Sequence, residues 1–545
     1  MKQCNQCKSP FEITDKDQKL YEKFGAKPTG LCFECDQKNR LCFRNERILY
    51  KRKCDFTGGD IISIYSPDKP YKIYKNDIWY SDKWNALDFG KDFDFKRPFF
   101  EQLQELQLKV PRLPLVNVNS ENSEYCNMCI GNKDSYLVFG GDFNDSVLYG
   151  TLCMSNKDCV DIDLSNNNEL CYMLGDSINC YGCHFAFDSK NCRNCFFISD
   201  CSNCSECILC ANLANKSFCI NNIQYPKGEY LQKKKEFLNG SYNTQISLFR
   251  AFNDMRKSRI VKYSHTLSCQ NCTGDYLKNS KNCHNCYDVS DSEDLKDVIF
   301  ANKAKDCFNC GLVGYSSERI YNSIAICSVH GIKNSYYIFA SSSIEYCEQM
   351  LNSHSCFGCI GLDHKENCIL NKQYSKQDYD GLKDRIISYM KKTGEWGQFF
   401  PKTFSCFGYN ESTADQYYPL SKEQALSQGY KWKEEGAKDY VPQNYNIPDN
   451  IADVKSDITD ANLVCSECKK NLKIIPQELK FYKSNYIPIP RQCSECRHSI
   501  RLSLRNPRKL WDRKCSKCGA GIHTTYSPDR PEKVYCETCY LKEVY

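Results

Sequence analysis

Cysteine pairs of the form Cys-x2-Cys are the residues of this chain best suited to chemistry. At the amino-terminal end, Cys4 and Cys7 are followed by Cys32 and Cys35. Two such pairs about 25 residues apart bring four soft thiolates to one point, a ligand set that suits zinc and excludes hard cations. The sequence therefore predicts a Cys4 zinc site here.

The carboxy-terminal end carries two further quartets with the same pairing. They are Cys465, Cys468, Cys493 and Cys496, followed by Cys515, Cys518, Cys536 and Cys539. Because each quartet supplies four thiolates to one ion, the three quartets predict three Zn²⁺ ions per chain.

The two ends are copies of one module and align without a gap, so that Cys4 falls on Cys465. RNERILYKRKC (44–54) aligns with RNPRKLWDRKC (505–515), and the first two cysteine pairs align as well. Of the last quartet the amino-terminal copy keeps only Cys54, with Thr57, Lys75 and Ile78 at the other three positions. One thiolate cannot hold a structural ion, so this copy is predicted to contain a metal-free hairpin.

The use of cysteine and the absence of targeting signals indicate a reducing compartment. Residues 1–30 contain no apolar segment of the signal-peptide type, and no run of eighteen apolar residues occurs. This predicts a cytoplasmic protein without a membrane partner. In such a compartment cysteines at these spacings favour metal ligation, with disulfides as the alternative.

The segment CSECKKNLKIIPQELKFYKSNYIPIPRQCSECRHSIR (465–501) resembles the bacterial "probable zinc-ribbon" family. The matching positions are Cys465, Cys468, Phe481, Tyr482, Cys493, Cys496 and Arg497. The amino-terminal copy departs from the family with Leu20 and Tyr21 in place of Phe-Tyr and with Asp36 after the last pair. The whole chain is similar to a group of uncharacterised two-ended zinc-ribbon proteins of candidate-phylum bacteria, a resemblance that implies zinc but no activity.

The region between the modules is repetitive and contains 26 of the 40 cysteines. Short polar units that end in Ser or Cys, such as KNCRNC at Lys190, recur at a short step, and Cys159, Cys180 and Cys201 are evenly spaced at about twice that step. Short strands joined by Asn, Asp and Gly corners at this period are typical of a parallel β-solenoid, or β-helix. We expect a mainly β fold with solenoid rungs of about 21 to 25 residues and treble-clef-like zinc ribbons at both ends.

The solenoid is predicted to be duplicated. Segments 207–230 and 356–379 share the pattern Cys-x2-Cys-x8-Cys-x5-Tyr-x-Lys, and helical caps are expected at 227–238 with 242–257 and at 376–392. The interior cysteines fit a column of small buried thiols, zinc held between rungs, or iron–sulfur or disulfide chemistry.

These patterns divide the chain into six predicted segments. They are a zinc-ribbon module with one Cys4 site and a metal-free hairpin (1–80), a connector with a short helix (81–121), a first solenoid half with a helical cap (122–260), a second half with a helical cap (261–394), an aromatic and proline-rich connector (395–462), and a zinc-ribbon module with two Cys4 sites (463–545).

Positive charge is concentrated in the two terminal modules. Residues 1–80 carry 16 Lys and Arg against 11 Asp and Glu, and residues 465–545 carry 17 against 8, whereas the whole chain carries 73 against 67. The region between the modules is therefore acidic.

Arginines at i, i+4 and i+7 follow the second cysteine pair of each module, which on a helix would form one stripe. Each stripe leads to an aromatic residue and another basic pair, a combination that suits phosphate contact and base stacking on RNA. The predicted nucleic-acid contacts are Arg40, Arg44, Arg47, Arg52, Lys53, Arg501, Arg505, Arg508, Arg513 and Lys514. Alternatively, these side chains pair with carboxylates of the acidic core or face solvent.

The sequence contains no His-Glu-x-x-His motif, phosphate-binding glycine loop or Gly-x-Ser-x-Gly elbow, so an enzyme is not predicted. The leading hypothesis is a non-catalytic zinc-binding scaffold that binds RNA or a ribonucleoprotein through its arginine stripes. The alternative is a protein-interaction scaffold whose zinc modules dock on the acidic solenoid. A third hypothesis is a β-helix hydrolase in which Asp161 and Asp163 act as paired carboxylates.

Overall fold

The computed structural model describes residues 1–434, 436 and 440–544. The chain forms two compact units. Unit 1 contains residues 1–115, 264–434 and 508–510, and unit 2 contains residues 116–263, 435–507 and 511–545. Each unit thus combines one terminal module with one half of the central repeat. Residues 435 and 437–439 of the second predicted connector, and residue 545, lie outside the described residues.

The amino-terminal segment of unit 1 contains short hairpins and helices. Its elements are β1 (Lys2–Gln3), β2 (Pro10–Phe11), α1 (Asp15–Phe24), α2 (Phe33–Leu41), β3 (Tyr50–Lys53), β4 (Asp60–Ser63), α3 (Asn76–Trp79), a 3-10 helix (Ala86–Phe89) and α4 (Phe99–Lys109). Helix α1 begins at a capping box of Thr14 and Asp17 and ends at Gly25, whose φ is 64°. Helix α4 ends before Pro111, because the residue preceding a proline disfavours helical geometry.

The first half of the central repeat lies in unit 2. Its elements are β5 (Asn117–Val118), β6 (Cys129–Ile130), β7 (Asp145–Thr151), β8 (Lys157–Asp163), β9 (Tyr172–Gly175), β10 (His184–Phe187), β11 (Phe196–Ser199), β12 (Ser205–Ala211), β13 (Ser217–Ile220), β14 (Ile223–Gln224), α5 (Lys227–Phe237), α6 (Tyr242–Ser258) and β15 (Ile260–Lys262). Strands β7 to β14 form one sheet in chain order, named here the first ladder. Helices α5 and α6 occupy the predicted cap.

Neighbouring strands of the first ladder from β7 to β13 are parallel and pair at a constant offset of twelve residues. Val147 pairs with Cys159 and His184 with Phe196. Isolated bridges between strands keep the same offset, as Glu169 with Tyr181 shows. The longer rung predicted from the sequence is therefore wrong, because each residue of one strand pairs with the residue twelve positions later in the next strand.

The short repeat follows from a left-handed backbone at every third residue. Asn191, Asn194, Phe197 and Asp200 have φ values of 54°, 49°, 56° and 53°. Asn and Asp tolerate this conformation through local hydrogen bonds, whereas the phenylalanine adopts it at a cost that its packing must offset. The corners recur at every third residue even inside the longer strands, as Asp158 and Asp161 of β8 show.

The residue that follows each of these left-handed corners is small or apolar and buried. The interior positions of the first half of the repeat include Cys126, Cys129, Val138, Val147, Cys153, Cys159, Ile162, Cys171, Leu174, Cys180, Cys183, Ala186, Cys192, Cys195, Ile198, Cys201, Cys204, Cys207 and Cys210. Asn132, Asn144, Asn156, Asn168, Ser165, Ser177 and Ser189 are buried in the same series. One core therefore runs along the ladder.

Buried polar atoms of this core bond to the backbone. The Ser189 hydroxyl donates to the Phe187 carbonyl at 2.9 Å and accepts from the Cys201 N–H at 3.3 Å. The Asn156 amide donates to the Ser165 carbonyl at 2.9 Å. Small Ser, Asn and Cys side chains thus satisfy backbone groups inside the ladder, where an unpaired group would be costly.

The second half of the repeat lies in unit 1. Its strands are β16 (Thr266–Leu267), β17 (Gly274–Lys278), β18 (Lys281–His284), β19 (Cys286–Ser290), β20 (Glu293–Asn302), β21 (Ala304–Gly314), β22 (Ser317–Tyr321), β23 (Ile324–Cys327), β24 (His330–Lys333), β25 (Tyr336–Phe339), β26 (Ser342–Glu345), β27 (Glu348–Leu351), β28 (His354–Phe357), β29 (Glu366–Ile369) and β30 (Lys372–Gln373). They form the second ladder. Its offset is mostly twelve residues, but Cys307 pairs with Ile320 because the left-handed Tyr315 and Ser316 add one residue.

Helices follow the second ladder, and the first of them lies at the predicted cap, residues 376–392. They are α7 (Lys376–Thr393), α8 (Thr413–Tyr417) and α9 (Lys422–Ser427), with 3-10 helices at Lys402–Phe404 and Tyr409–Glu411. None of the helices in the described residues is both long enough and apolar enough to cross a membrane.

The carboxy-terminal module repeats the order of the amino-terminal one. After 3-10 helices at Ile451–Asp453 and Ser456–Thr459 come β31 (Leu463–Val464), β32 (Asn471–Leu472), α10 (Pro476–Ser484), α11 (Ser494–Ser503), β33 (Trp511–Lys514), β34 (Gly521–Thr524), β35 (Lys533–Tyr535) and α12 (Glu537–Val544). Helices α10 and α11 correspond to α1 and α2, and the antiparallel pair β33 and β34 corresponds to the hairpin β3 and β4. Leu479 and Tyr482 of α10 join an apolar cluster with Leu148, Val160 and Tyr172 of the first ladder.

Candidate metal centres and the arginine anchors

The three predicted cysteine quartets each come together. In every quartet the four sulfur atoms lie within 4.8 Å of one another. Contacts within them include Cys7 to Cys32 at 3.6 Å, Cys468 to Cys493 at 3.7 Å and Cys518 to Cys536 at 3.8 Å. These separations are far beyond a disulfide bond of about 2.05 Å. The three groups can therefore each hold a metal ion.

Backbone N–H groups point at the sulfur atoms of these quartets. Cys32 N donates to the Cys4 sulfur at 3.4 Å, Cys493 N to Cys465 at 3.3 Å, and Cys536 N to Cys515 at 3.3 Å. Burial raises the pKa of Cys465, but N–H donors from Cys493 and its own pair lower it to about 6. Donors of this kind favour the thiolate, which is the form that binds metal.

The incomplete quartet that contains Cys54 in the amino-terminal copy keeps part of this geometry. Lys75 N donates to the Cys54 sulfur at 3.3 Å, just as Cys536 N does to Cys515 in the other copy. Among the described residues Cys54 belongs to no group of three close ligands. Ile64 and Tyr65 pack beside this hairpin in an apolar cluster that takes in Ile61 and Ile62.

The interior cysteines of the ladders form no comparable group within the described part of the chain. The Cys183 sulfur instead lies 3.5 Å from the Tyr181 carbonyl oxygen and 3.4 Å from the Cys192 carbonyl oxygen, either of which can accept its single S–H proton. Burial raises the pKa of Cys183, which keeps its proton in place for these bonds. None of the 40 cysteines is part of a disulfide, so for the interior cysteines a column of small buried thiols is the arrangement that the geometry favours.

The predicted helical stripe of arginines is wrong. Helix α2 ends at Leu41 and α11 ends at Ser503, so only Arg40 and Arg501 lie on a helix. The chain leaves the helix because Asn506 precedes Pro507 in one copy. In the other copy the Asn45 side chain accepts from the Ile48 N–H at 3.0 Å and forms a turn.

Arg501 lies against two carboxylates of strand β8 and is fully buried. Its Nη1 is 2.9 Å from Asp161 Oδ1, and its Nε is 2.9 Å from Asp163 Oδ2. Asp161 and Asp163 lie on either side of the buried Ile162, and both carboxylates face helix α11. The two aspartates that could have served as a catalytic pair thus hold helix α11 on the first ladder.

Arg497 and His498 complete this buried cluster. Arg497 Nε donates to Asp161 at 2.7 Å, and His498 Nδ1 lies 2.9 Å from Asp163. Burial acts to raise the pKa of the Asp163 carboxyl, but Arg501 and His498 hold it well below its usual range. Asp163 is therefore an ionised partner for both side chains.

A buried glutamate extends the cluster to helix α10. Glu478 accepts from Tyr482 at 2.6 Å and from Tyr149 at 2.8 Å, and it faces Arg497 Nη2 at 3.4 Å. Burial raises the pKa of Glu478. The nucleic-acid prediction did not include Arg497, His498 or Glu478, although Arg497 directly follows the second cysteine pair and Glu478 lies three residues before Phe481.

The corresponding contact in unit 1 is made by Arg40. Its Nη1 donates to Asp36 of the same helix at 2.6 Å and to Asn322 of the second ladder at 2.8 Å. Gln37 Nε2 donates to the Asp297 carbonyl at 3.1 Å. Arg40 and Arg501, which occupy equivalent positions in the two modules, are each 1% exposed. Both modules therefore rest on a ladder through the same helix.

Most of the other predicted nucleic-acid contacts are also buried or paired. Arg505 binds Asp176 at 2.7 Å, and Arg508 lies 3.2 Å from Asp288 with its guanidinium 3.8 Å from the Tyr417 ring centre. Arg44 pairs with Glu46, Arg47 is buried, Arg52 pairs with Asp55, and Arg513 donates to the Ser527 carbonyl. Lys53 and Lys514 are exposed. The structure thus brings most of the predicted phosphate ligands into contact with protein groups.

Comparison of the chain with models of protein families gives no match, and comparison with curated proteins gives none.

Proposed function

We propose that this protein is a non-catalytic, zinc-stabilised scaffold in which each Cys4 module is anchored on a narrow β-solenoid by buried arginines. The observation that carries the proposal is the environment of Arg501, which is fully buried between Asp161 and Asp163. Desolvating an arginine is costly unless carboxylates compensate it, so such a contact is typical of a permanent docking surface.

The quartets suit zinc in particular. A zinc–sulfur bond of about 2.3 Å in a tetrahedron separates the sulfur atoms by about 3.8 Å. The sulfur separations of 3.6 to 3.8 Å agree with this value. Four thiolates also match the soft ligand set of a closed structural site, in which zinc contributes directly to folding.

A closed solenoid accounts for the ladders. Corners at every third residue and a register of twelve residues correspond to four sides of three residues each. Parallel strands stacked at about 4.8 Å would then wind around the column of small interior side chains. The helices after each ladder would shield its terminal rung.

Two competing functions have less support. RNA binding through the arginine stripes would require Arg40 and Arg501 to leave buried hydrogen bonds, and each of them is 1% exposed. A hydrolase that used Asp161 and Asp163 would need those carboxylates for substrate, whereas arginine and histidine side chains occupy them. The similarity to zinc ribbons and a cytoplasmic location remain part of the proposal. The absence of disulfides among the 40 cysteines agrees with a reducing compartment.

The proposal is tested by metal content and by the docking contact together. Elemental analysis of the purified chain should find three zinc ions, and the double variant Asp161→Asn/Asp163→Asn should keep all three. The same variant should make helix α11 and the loop after it accessible to protease, since the anchor loses both charges.

Nucleic acid provides the opposing measurement. Tight RNA binding at about 50 mM salt that weakens steeply as salt rises would indicate phosphate contacts. If such binding is lost in Arg501→Gln without any gain in protease sensitivity, the scaffold proposal is wrong and RNA binding replaces it.

A further inference from the structure

Unit 2 contains a cavity of about 710 Å³ that none of the functions discussed above uses. It lies against strands β10 and β11, helices α5 and α6, and the turn after helix α10. Its lining is rich in aromatic side chains, which are Tyr181, Phe185, Phe196, Phe197, Phe237 and Tyr486. Its volume is within the range of small-molecule sites, which are about 300 to 1,000 Å³.

Part of the aromatic lining is exposed. The exposed fraction is 70% for Tyr486 and 42% for Tyr181. Phe185 and Phe197 are buried and stack with their ring centres 4.4 Å apart. A lining that combines buried, stacked phenylalanine rings with exposed tyrosine rings suits a flat apolar ligand.

His184 is a buried polar group on the cavity wall. Its exposed fraction is 9%. Burial and the nearby Lys234 lower the pKa of His184 to about 3, so the imidazole is neutral near pH 7. A neutral imidazole offers one donor and one acceptor to a bound molecule.

The charges that line the cavity are positive. Lys234 pairs with Glu206 at 2.6 Å and lies 5.1 Å from the Phe196 ring centre, while Lys235 is exposed. No Asp or Glu occurs among the described residues that line the cavity. Because Glu206 neutralises Lys234, Lys235 is the charge of the lining that favours an anion.

We propose that this cavity binds a small planar aromatic carboxylate. The ring system packs among Phe196, Phe197 and Tyr486, and the carboxylate faces Lys235. His184 hydrogen-bonds to a polar substituent on the buried edge of the ring. The site is independent of the zinc centres and of the arginine anchors.

The test uses calorimetric titration of the full zinc-loaded chain with 2-naphthoate. Lys235→Glu should weaken binding about tenfold, because it replaces attraction by repulsion at the mouth. Tyr486→Ala should weaken binding severalfold through loss of aromatic contact. The matched controls Lys257→Glu and Tyr440→Ala change exposed residues outside the cavity and should leave the affinity unchanged.

Two ligand comparisons test the chemistry. Cyclohexanecarboxylate has the same charge but no aromatic face, so it should bind at least tenfold more weakly than 2-naphthoate. A hydroxyl on the far ring, as in 6-hydroxy-2-naphthoate, should improve binding to the native chain but not to His184→Phe. Zinc content reports that each variant is folded.

Three results would overturn the proposal. They are the absence of 2-naphthoate binding at millimolar concentration, equal affinity for the two carboxylates, and affinity that neither Lys235→Glu nor Tyr486→Ala changes. If the additional hydroxyl improves binding to His184→Phe as much as to the native chain, His184 does not contact the ligand.

Discussion

Replacement of Arg501 by Gln tests the docking of the carboxy-terminal module most directly. The Arg501 side chain is 0% exposed and makes bonds of 2.9 Å to each of Asp161 and Asp163. After the replacement Asp161 keeps Arg497 at 2.7 Å and Asp163 keeps His498 at 2.9 Å. The cluster therefore loses one compensating charge, while neither carboxylate is left without a partner.

The expected loss of stability follows from the number of partners that each aspartate retains. Removal of one member of a buried ion pair destabilises the folded state by about 3 to 5 kcal/mol. Because each aspartate retains one partner, we expect the lower end, about 3 kcal/mol, which corresponds to a more than hundredfold change in an equilibrium constant. Lys514→Gln removes the same charge from an exposed side chain and should change stability by less than about 0.5 kcal/mol.

The assay should report on unit 2 alone, since two units need not unfold in one step. Hydrogen exchange of helix α11 and protease cleavage in the following loop give such local readouts. The double variant Arg501→Gln/Asp163→Asn should recover more than half of the loss, because it also removes the carboxylate that keeps His498 but no arginine. Unchanged exchange in Arg501→Gln, or a double variant no better than the single one, would refute the reasoning.

Three further predictions concern the metal sites and the ladders. Cys54→Ser should leave three metal ions bound, whereas Cys515→Ser should leave two and loosen the β33–β34 hairpin; equal metal loss in elemental analysis would show that Cys54 is a ligand. Cys183→Ser retains a small donor and should change the urea midpoint by the equivalent of less than about 1 kcal/mol, whereas Cys183→Leu should cost about 1 to 3 kcal/mol through overpacking; equal midpoints would contradict a tightly filled interior. Asn191 has a φ of 54°, so Asn191→Val should lower stability by about 1 to 2 kcal/mol relative to Asn191→Gly in thermal unfolding; the reverse order would argue against a left-handed corner.

The metal centres could be predicted from the sequence because their chemistry is local. A Cys-x2-Cys pair places two thiolates side by side, and two such pairs at a fixed separation define a tetrahedral group. The three predicted quartets are all assembled. The missing site at Cys54 was predictable for the same reason, since Thr57, Lys75 and Ile78 supply no thiolate.

The sequence contains a signal for the twelve-residue repeat, but the predicted rung is longer. The pattern Cys-x2-Cys already contains the three-residue period, and Cys159, Cys171, Cys183, Cys195 and Cys207 are each twelve residues apart. The even spacing of Cys159, Cys180 and Cys201 suggested a longer rung. Those cysteines belong to different stacks, which only the strand register separates.

The role of the arginines depended on tertiary structure. The sequence by itself determined where thiolate quartets, parallel strands and helical caps would form, because spacing and periodicity are local properties of the chain. It left open whether Arg501 would meet phosphate, solvent or carboxylate. That choice depends on Asp161 and Asp163, which are distant from Arg501 along the chain and reach it only when helix α11 packs on the first ladder.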